Sequence, residues 1–180
     1  MKSQITIKQM QDLLIKGDQT LYVDDDTSRR MWWASLEVIQ KEFLSQNYQL
    51  GGIWVASPLP ALNEKKFFNK LQGWLWSPEG FPYFQKDNAG FLPAEHSSKI
   101  NKDFDYFSNY KVLNLSHRDG YEPFLMIITP NFQCILSIAG EKDEKILLMK
   151  CDEKSLQISI ELMHAKLDQE NYEEGVEFRN

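Results

Sequence analysis

The segment 122–140, Glu-Pro-Phe-Leu-Met-Ile-Ile-Thr-Pro-Asn-Phe-Gln-Cys-Ile-Leu-Ser-Ile-Ala-Gly, limits the fold more than any other part of the chain. It holds two β-rich runs, 124–128 and 132–139, separated by the breaker Thr129-Pro130-Asn131. Each run is apolar at odd and even positions alike, so both faces of the sheet they build must be covered. They are expected as core strands of a layered domain. Phe132, Cys134, Leu136 and Ile138 fall on one face of the second run, which assigns Cys134 to packing.

The flanking pattern supplies the other layers. Thr6 and Gln9 fit a capping box, followed by Met10, Leu13 and Leu14 at helical spacing until Gly17. Asp24-Asp25-Asp26-Thr27 supplies acidic residues at the start of a longer helix. In that helix Trp32, Leu36, Ile39 and Phe43 form one stripe, which Trp33 and Val38 widen. A strand with an internal glycine pair, Gly51-Gly52, is expected over 48–57, the pair marking a bulge or a close backbone approach. A short helix over 63–71 follows, with Phe67, Phe68 and Leu71 on its buried side. Residues 110–115 read as a strand and His117-Arg118-Asp119-Gly120 as a turn. Residues 146–151 read as a further strand, and Asp152 caps a last helix striped by Leu156, Ile160, Met163 and Leu167. Short turns join the C-terminal strands, so the expectation is one α+β domain over 1–180, a mainly antiparallel sheet with helices packed on it. Residues 170–180 are acidic and weakly patterned, and read as a frayed tail.

A net charge of −6 and a pI near 5.1 exclude the broad basic surface that nucleic acid or an anionic membrane selects. No basic run exceeds two residues, and no apolar run reaches the length of a membrane span. Cys134 and Cys151, the two cysteines, lack metal or redox spacing and read as reduced and buried in a cytoplasmic protein. A bridge between them requires that their strands pair.

Catalytic patterns do not stand out. The chain contains neither GxxxxGK[ST], GxGxxG nor GxSxG. His96, His117 and His164 have no ligand spacing among themselves and read as loop, turn and helix flank. Asp24–Asp26 suit a hard cation by chemistry, but their place before a helix assigns them to its dipole. A Cys-dependent enzyme would need Cys134 or Cys151 with a histidine and a lowered thiol pKa. The reading is therefore of no catalytic residue, no metal and no cofactor.

One cluster remains. Residues 73–84 carry Trp74, Trp76, Phe81, Tyr83 and Phe84 among prolines and glycines that interrupt regular structure. An aromatic loop of this kind can wall a small-molecule site or anchor a partner protein. The competing reading is that the rings cover one face of the sheet in place of a helix.

Residues 121–162 resemble the C-terminal half of the DICT sensory domain, a module of diguanylate cyclases and two-component systems. The resemblance lies in Glu122-Pro123-Phe124, in Thr129-Pro130-Asn131-Phe132, and in Ile135-Leu136. It extends through the strand over 146–150 to Cys151-Asp152-Glu153 at the start of the last helix. It implies a sensory or regulatory input module, and that family pattern contains no catalytic residues. Neither a cyclase Gly-Gly-Asp-Glu-Phe signature nor a kinase ATP motif accompanies it here. The expected function is thus a non-enzymatic sensory or regulatory domain that binds a small ligand or a signalling protein and acts in trans. The alternative is an assembly protein that uses the aromatic loop.

Overall fold

The computed structural model describes residues 4–16, 21–46, 51–58, 61–62, 70–79, 110–170 and 172–179. Two helices come first, α1 (Ile7–Ile15) and α2 (Asp25–Val38). The capping box of α1 is present, with the Gln9 N–H donating to Thr6 Oγ1 and the Thr6 N–H to Gln9 Oε1. Asp24 caps α2 by accepting from the Thr27 N–H at 2.7 Å. The helix then runs on as a wider π turn, Ile39–Leu44. Trp32, Leu36 and Ile39 are buried as the stripe requires, but Phe43 is exposed and stacks on Phe132, the π turn burying Leu44 instead. Trp33 and Val38 face outward, so the stripe is narrower than expected.

Six strands follow among the described residues: β1 (Ile53–Ser57), β2 (Gln72–Ser77), β3 (Tyr110–Asn114), β4 (Phe124–Ile128), β5 (Gln133–Glu141) and β6 (Glu144–Lys150). They form one sheet in the order β3-β2-β1-β4-β5-β6. The pairs β1–β4, β4–β5 and β5–β6 are antiparallel, whereas β1–β2 and β2–β3 are parallel. The sheet is therefore mixed, which corrects the mainly antiparallel expectation. Antiparallel neighbours can be joined by tight turns, but parallel strands need long crossovers. The strand at 110–114 accordingly sits at the far edge beside β2, away from the C-terminal strands.

Two layers cover the sheet, as the doubly apolar strands demanded. On one face Val55, Trp74, Trp76, Phe124, Met126, Ile135 and Ala139 pack under α1, the helix α3 (Glu153–Glu170) and the helix α4 (Tyr172–Arg179). On the other, Trp54, Ala56, Leu75, Leu125, Ile127, Cys134, Leu136 and Ile138 pack under α2 and the π turn. Odd and even positions of each strand divide between the two cores. The expected frayed tail is also corrected, because 172–179 is helical. Phe178 is buried there, edge-on to Trp74 with ring centroids 5.2 Å apart.

Two glycines take backbone conformations with positive φ that matter here. Gly52, at φ +139°, lies just before β1, and a Cβ there would fall 2.1 Å from the Ile128 carbonyl oxygen. The glycine pair thus marks a close backbone contact at the strand's entry. Gly120, at φ +78°, closes the turn after Asp119. The helix expected over 63–71 falls mostly outside the described residues.

That turn carries a buried charge. Asp119 is 1% exposed and accepts from the Ile7 N–H, the Ser116 N–H and the Ser116 hydroxyl. Lys166 of α3, also 1% exposed, places its Nζ 2.8 Å from Asp119 Oδ1 and 2.5 Å from Glu170 Oε1. Trp76 donates its indole N–H to Glu170 Oε2 at 2.7 Å, and the Lys166 ammonium stands 5.4 Å from the Trp76 ring centroid. One network thereby joins α1, the turn, β2 and α3.

Burial alone would raise the Asp119 pKa, but the Lys166 ammonium and the Ser116 and Ile7 donors reverse this and hold it below the usual carboxylate value. A carboxylate depressed in the folded state contributes stability above its unfolded pKa, and that contribution is lost as pH falls through the folded value. Acid titration of unfolding should therefore show a loss of stability below about pH 4. Asp119→Asn should lower the neutral-pH plateau and flatten that acid limb, and an unchanged slope would count against the assignment.

Candidate functional site

A second group of polar side chains converges at the end of the β5–β6 hairpin. A cavity of about 430 Å³ opens there between α1, the first turn of α2, the segment 120–122 and the hairpin. The local fold explains the convergence. Val23, just ahead of α2, exchanges both backbone hydrogen bonds with Lys145 of β6, at 2.9 and 2.8 Å. That bridge brings the start of α2 to the hairpin edge, while α1 lies on the opposite face.

Lys145 forms the floor. It is 5% exposed, with Nζ 2.6 Å from Glu122 Oε1 and 3.1 Å from the Gly140 carbonyl oxygen. Glu122 Oε2 is shielded from solvent and has no hydrogen-bond partner among the described residues. Gln11, buried in α1, points its amide at Ser137 Oγ (2.9 Å) and the Ile138 carbonyl oxygen (3.1 Å). At the rim, Arg29 Nε donates to Asp25 Oδ2 at 2.8 Å. The Arg29 hydrogen bond lowers the Asp25 pKa, and Asp25 in turn raises that of Arg29. Lys8 and Asp12 of α1, with Glu141 and Lys142 of the hairpin, complete the charged wall. Four cationic and four anionic side chains line one concavity. Such a wall offers both donors and acceptors to a small polar molecule, and its signs balance.

The aromatic set stands elsewhere. Trp74 and Trp76 lie in the regular strand β2, which corrects the irregular loop expected over that part of 73–84. Both are fully buried under α3 and α4, as rings that cover one face of the sheet. Phe81, Tyr83 and Phe84 lie outside the described residues, as does His96. The structure does not bring Trp74 and Trp76 to the charged cavity.

The remaining candidates resolve individually. Burial pushes the Cys134 thiol up to about 12, with a further contribution from Cys151. Cys151 is exposed, correcting the expectation that it is buried, and desolvation also raises its pKa. Neither thiol has the depressed pKa of an activated nucleophile. His164 faces Asp168 one turn along α3, Nε2 to Oδ2 3.2 Å. Among the described residues no group of three His, Cys, Asp or Glu side chains converges as a metal site would. Asp24 and Asp25 serve as helix cap and Arg29 partner. No helix of the described residues is long and apolar enough to cross a membrane.

A family model described as a domain of unknown function, DUF8628, matches residues 8–180, nearly the whole chain. The chain belongs to the DUF8628 family. No curated protein and no solved structure matches it. The match begins at Lys8, the second residue of α1, and so includes the rest of that helix, both walls of the cavity and the buried Asp119–Lys166 pair.

Sequence reasoning missed Lys145, Glu122, Gln11 and Arg29 as a group. Lys145 and Glu122 lie 23 positions apart and Gln11 is more than a hundred positions from Ser137, so only the folded chain joins them. One signal was present. Lys145 precedes the apolar run of β6, where a buried cation needs a carboxylate partner.

Proposed function

We propose that this DUF8628 chain is a non-enzymatic regulatory domain that binds a small polar ligand in the cavity at the β5–β6 hairpin. The carrying observation is the balanced lining of that cavity over a buried Lys145 paired with the half-buried Glu122. Arg29 spends only Nε on Asp25 among the described residues, leaving its terminal nitrogens for an anionic group. Asp12 and Glu141 offer acceptors to a cationic group on the same ligand. The chemistry favours a zwitterion of the size of a free amino acid over a purely anionic or purely cationic compound. The resemblance of 121–162 to a sensory module supports the regulatory reading, since that stretch includes Tyr121, Glu122 and the β5–β6 hairpin residues that line the cavity.

Thermal unfolding in the presence of single free amino acids tests this directly, with a dicarboxylate and a diamine of similar length as controls. Ligand at a hundred times its Kd stabilises by about 2.7 kcal/mol, several degrees for a domain of this size. At least one zwitterion should raise Tm by that amount in the wild type and fail to do so in Arg29→Ala. Arg29→Ala removes only an exposed ion pair, so its own Tm should move little. The reading fails if no zwitterion shifts Tm, or if Arg29→Ala responds as the wild type does.

A further inference from the structure

We infer that Cys134 and Cys151 are a paired redox site, closing to a cross-strand disulfide when the protein meets a low-molecular-weight disulfide such as oxidised glutathione. The register carries this. Strands β5 and β6 are antiparallel with Ile135 opposite Lys150, so the next facing positions are Cys134 and Cys151. The hydrogen-bond alternation fixes the type of pair. The Thr129 N–H donates to the Phe132 carbonyl and the Ile138 N–H to the Pro123 carbonyl, so positions 132 and 138 direct their backbone groups toward β4. By the period of two, 134 does the same, and 133, 135 and 137 turn theirs toward β6. Cys134 and Cys151 are then a non-hydrogen-bonded pair, whose Cα atoms stand about 4.5 Å apart with side chains on one face. That separation lies within the range of roughly 4.4–6.8 Å that a disulfide spans.

The two thiols differ in the way a two-step exchange needs. Cys151 is exposed and meets the oxidant, while Cys134 is fully buried in the core beneath α2 and the π turn. The Cys151 thiol, as thiolate, attacks one sulfur of the oxidised glutathione. A mixed disulfide forms on Cys151, and one glutathione leaves with the Cys151 proton. Cys134 then attacks the Cys151 sulfur, forming the Cys134–Cys151 bond and expelling the second glutathione with the Cys134 proton. Two protein thiols are oxidised by two electrons, and one glutathione disulfide is reduced to two thiols. Both thiol pKa values are raised, so the exchange is slow at neutral pH and accelerates as pH rises. The bond joins the start of β5 to the residue that leaves β6 for α3, fixing the hairpin register and that junction. It forms whether or not the polar cavity takes a ligand.

The test treats the folded full chain with oxidised glutathione at pH 8, followed by peptide mapping without reduction. The peptide of Cys134 should be found joined to that of Cys151 in monomeric protein, with no glutathione retained. Melting should rise by roughly 5–10 °C and return on addition of dithiothreitol. Cys151→Ser, an exposed change that leaves the core intact, should keep Cys134 reduced under the same treatment. Glutathione remaining on Cys151 beside a free Cys134 would overturn the inference. So would a bond between two chains through Cys151, or modification of Cys134 in Cys151→Ser at the wild-type rate.

Discussion

Lys166→Met is expected to remove about 3–5 kcal/mol of folding stability, the cost of leaving a buried carboxylate without its cation. Asp119 is enclosed by the N-terminus of α1, Ser116 and α3, so water cannot replace the lost ammonium without opening the contact. Methionine keeps most of the aliphatic stem, which separates the loss of charge from the loss of packing. The same change removes the cation above the Trp76 ring and a donor to Glu170, the acceptor of the Trp76 indole N–H. Domains of this size have about 5–15 kcal/mol in total, so the variant should populate unfolded chains measurably. Urea unfolding is the measurement, with the midpoint falling at unchanged slope. The double variant Asp119→Asn with Lys166→Met should recover part of the loss, because neither charge then remains buried. A loss below 1 kcal/mol for Lys166→Met would show that the site is wet and the pair is not buried in solution.

The same residues show what a sequence can and cannot reveal. The capping box at Thr6, the core strands after Pro123 and the cap at Asp152 are local matters, decided within a few residues by periodicity and turn chemistry. They were legible for that reason. The parallel half of the sheet was not, because β1, β2 and β3 pair across long crossovers and carry no signal of their partners. Asp119 read as a turn residue, which it is, and nothing nearby announced Lys166 from α3. The candidate cavity was illegible in the same way, being assembled from α1, α2, the 120–122 segment and a hairpin. Aromatic density at 73–84 drew attention toward Trp74 and Trp76, where hydrophobic mass serves the core. Ring content alone does not separate a binding wall from a buried strand, since both need large apolar side chains.

Gly73→Ala should cost about 3 kcal/mol, near the upper end for overpacking a core, although it adds a single methyl group. Gly73 lies in β2 between Trp54 of β1 and Tyr110 of β3, which face it across the two ladders. The Trp54 indole extends over this glycine toward Tyr110, with ring centroids 5.6 Å apart. A Cβ at position 73 would stand 2.2 Å from Trp54 Cε2 and 2.4 Å from Nε1. Both atoms belong to a rigid, fully buried ring, so the indole must leave its place and disturb the core under α2. The glycine in Gly-Trp-Leu-Trp is therefore a packing residue, which its reading as a strand breaker missed. Shrinking the ring tests the cause. Trp54→Phe alone should destabilise by leaving a cavity, but combined with Gly73→Ala it should cost less than the sum, by 1 kcal/mol or more on the scale usual for contacting pairs. Urea unfolding of the four proteins in the cycle gives that coupling, and simple additivity would mean that the glycine is needed for something other than the indole above it.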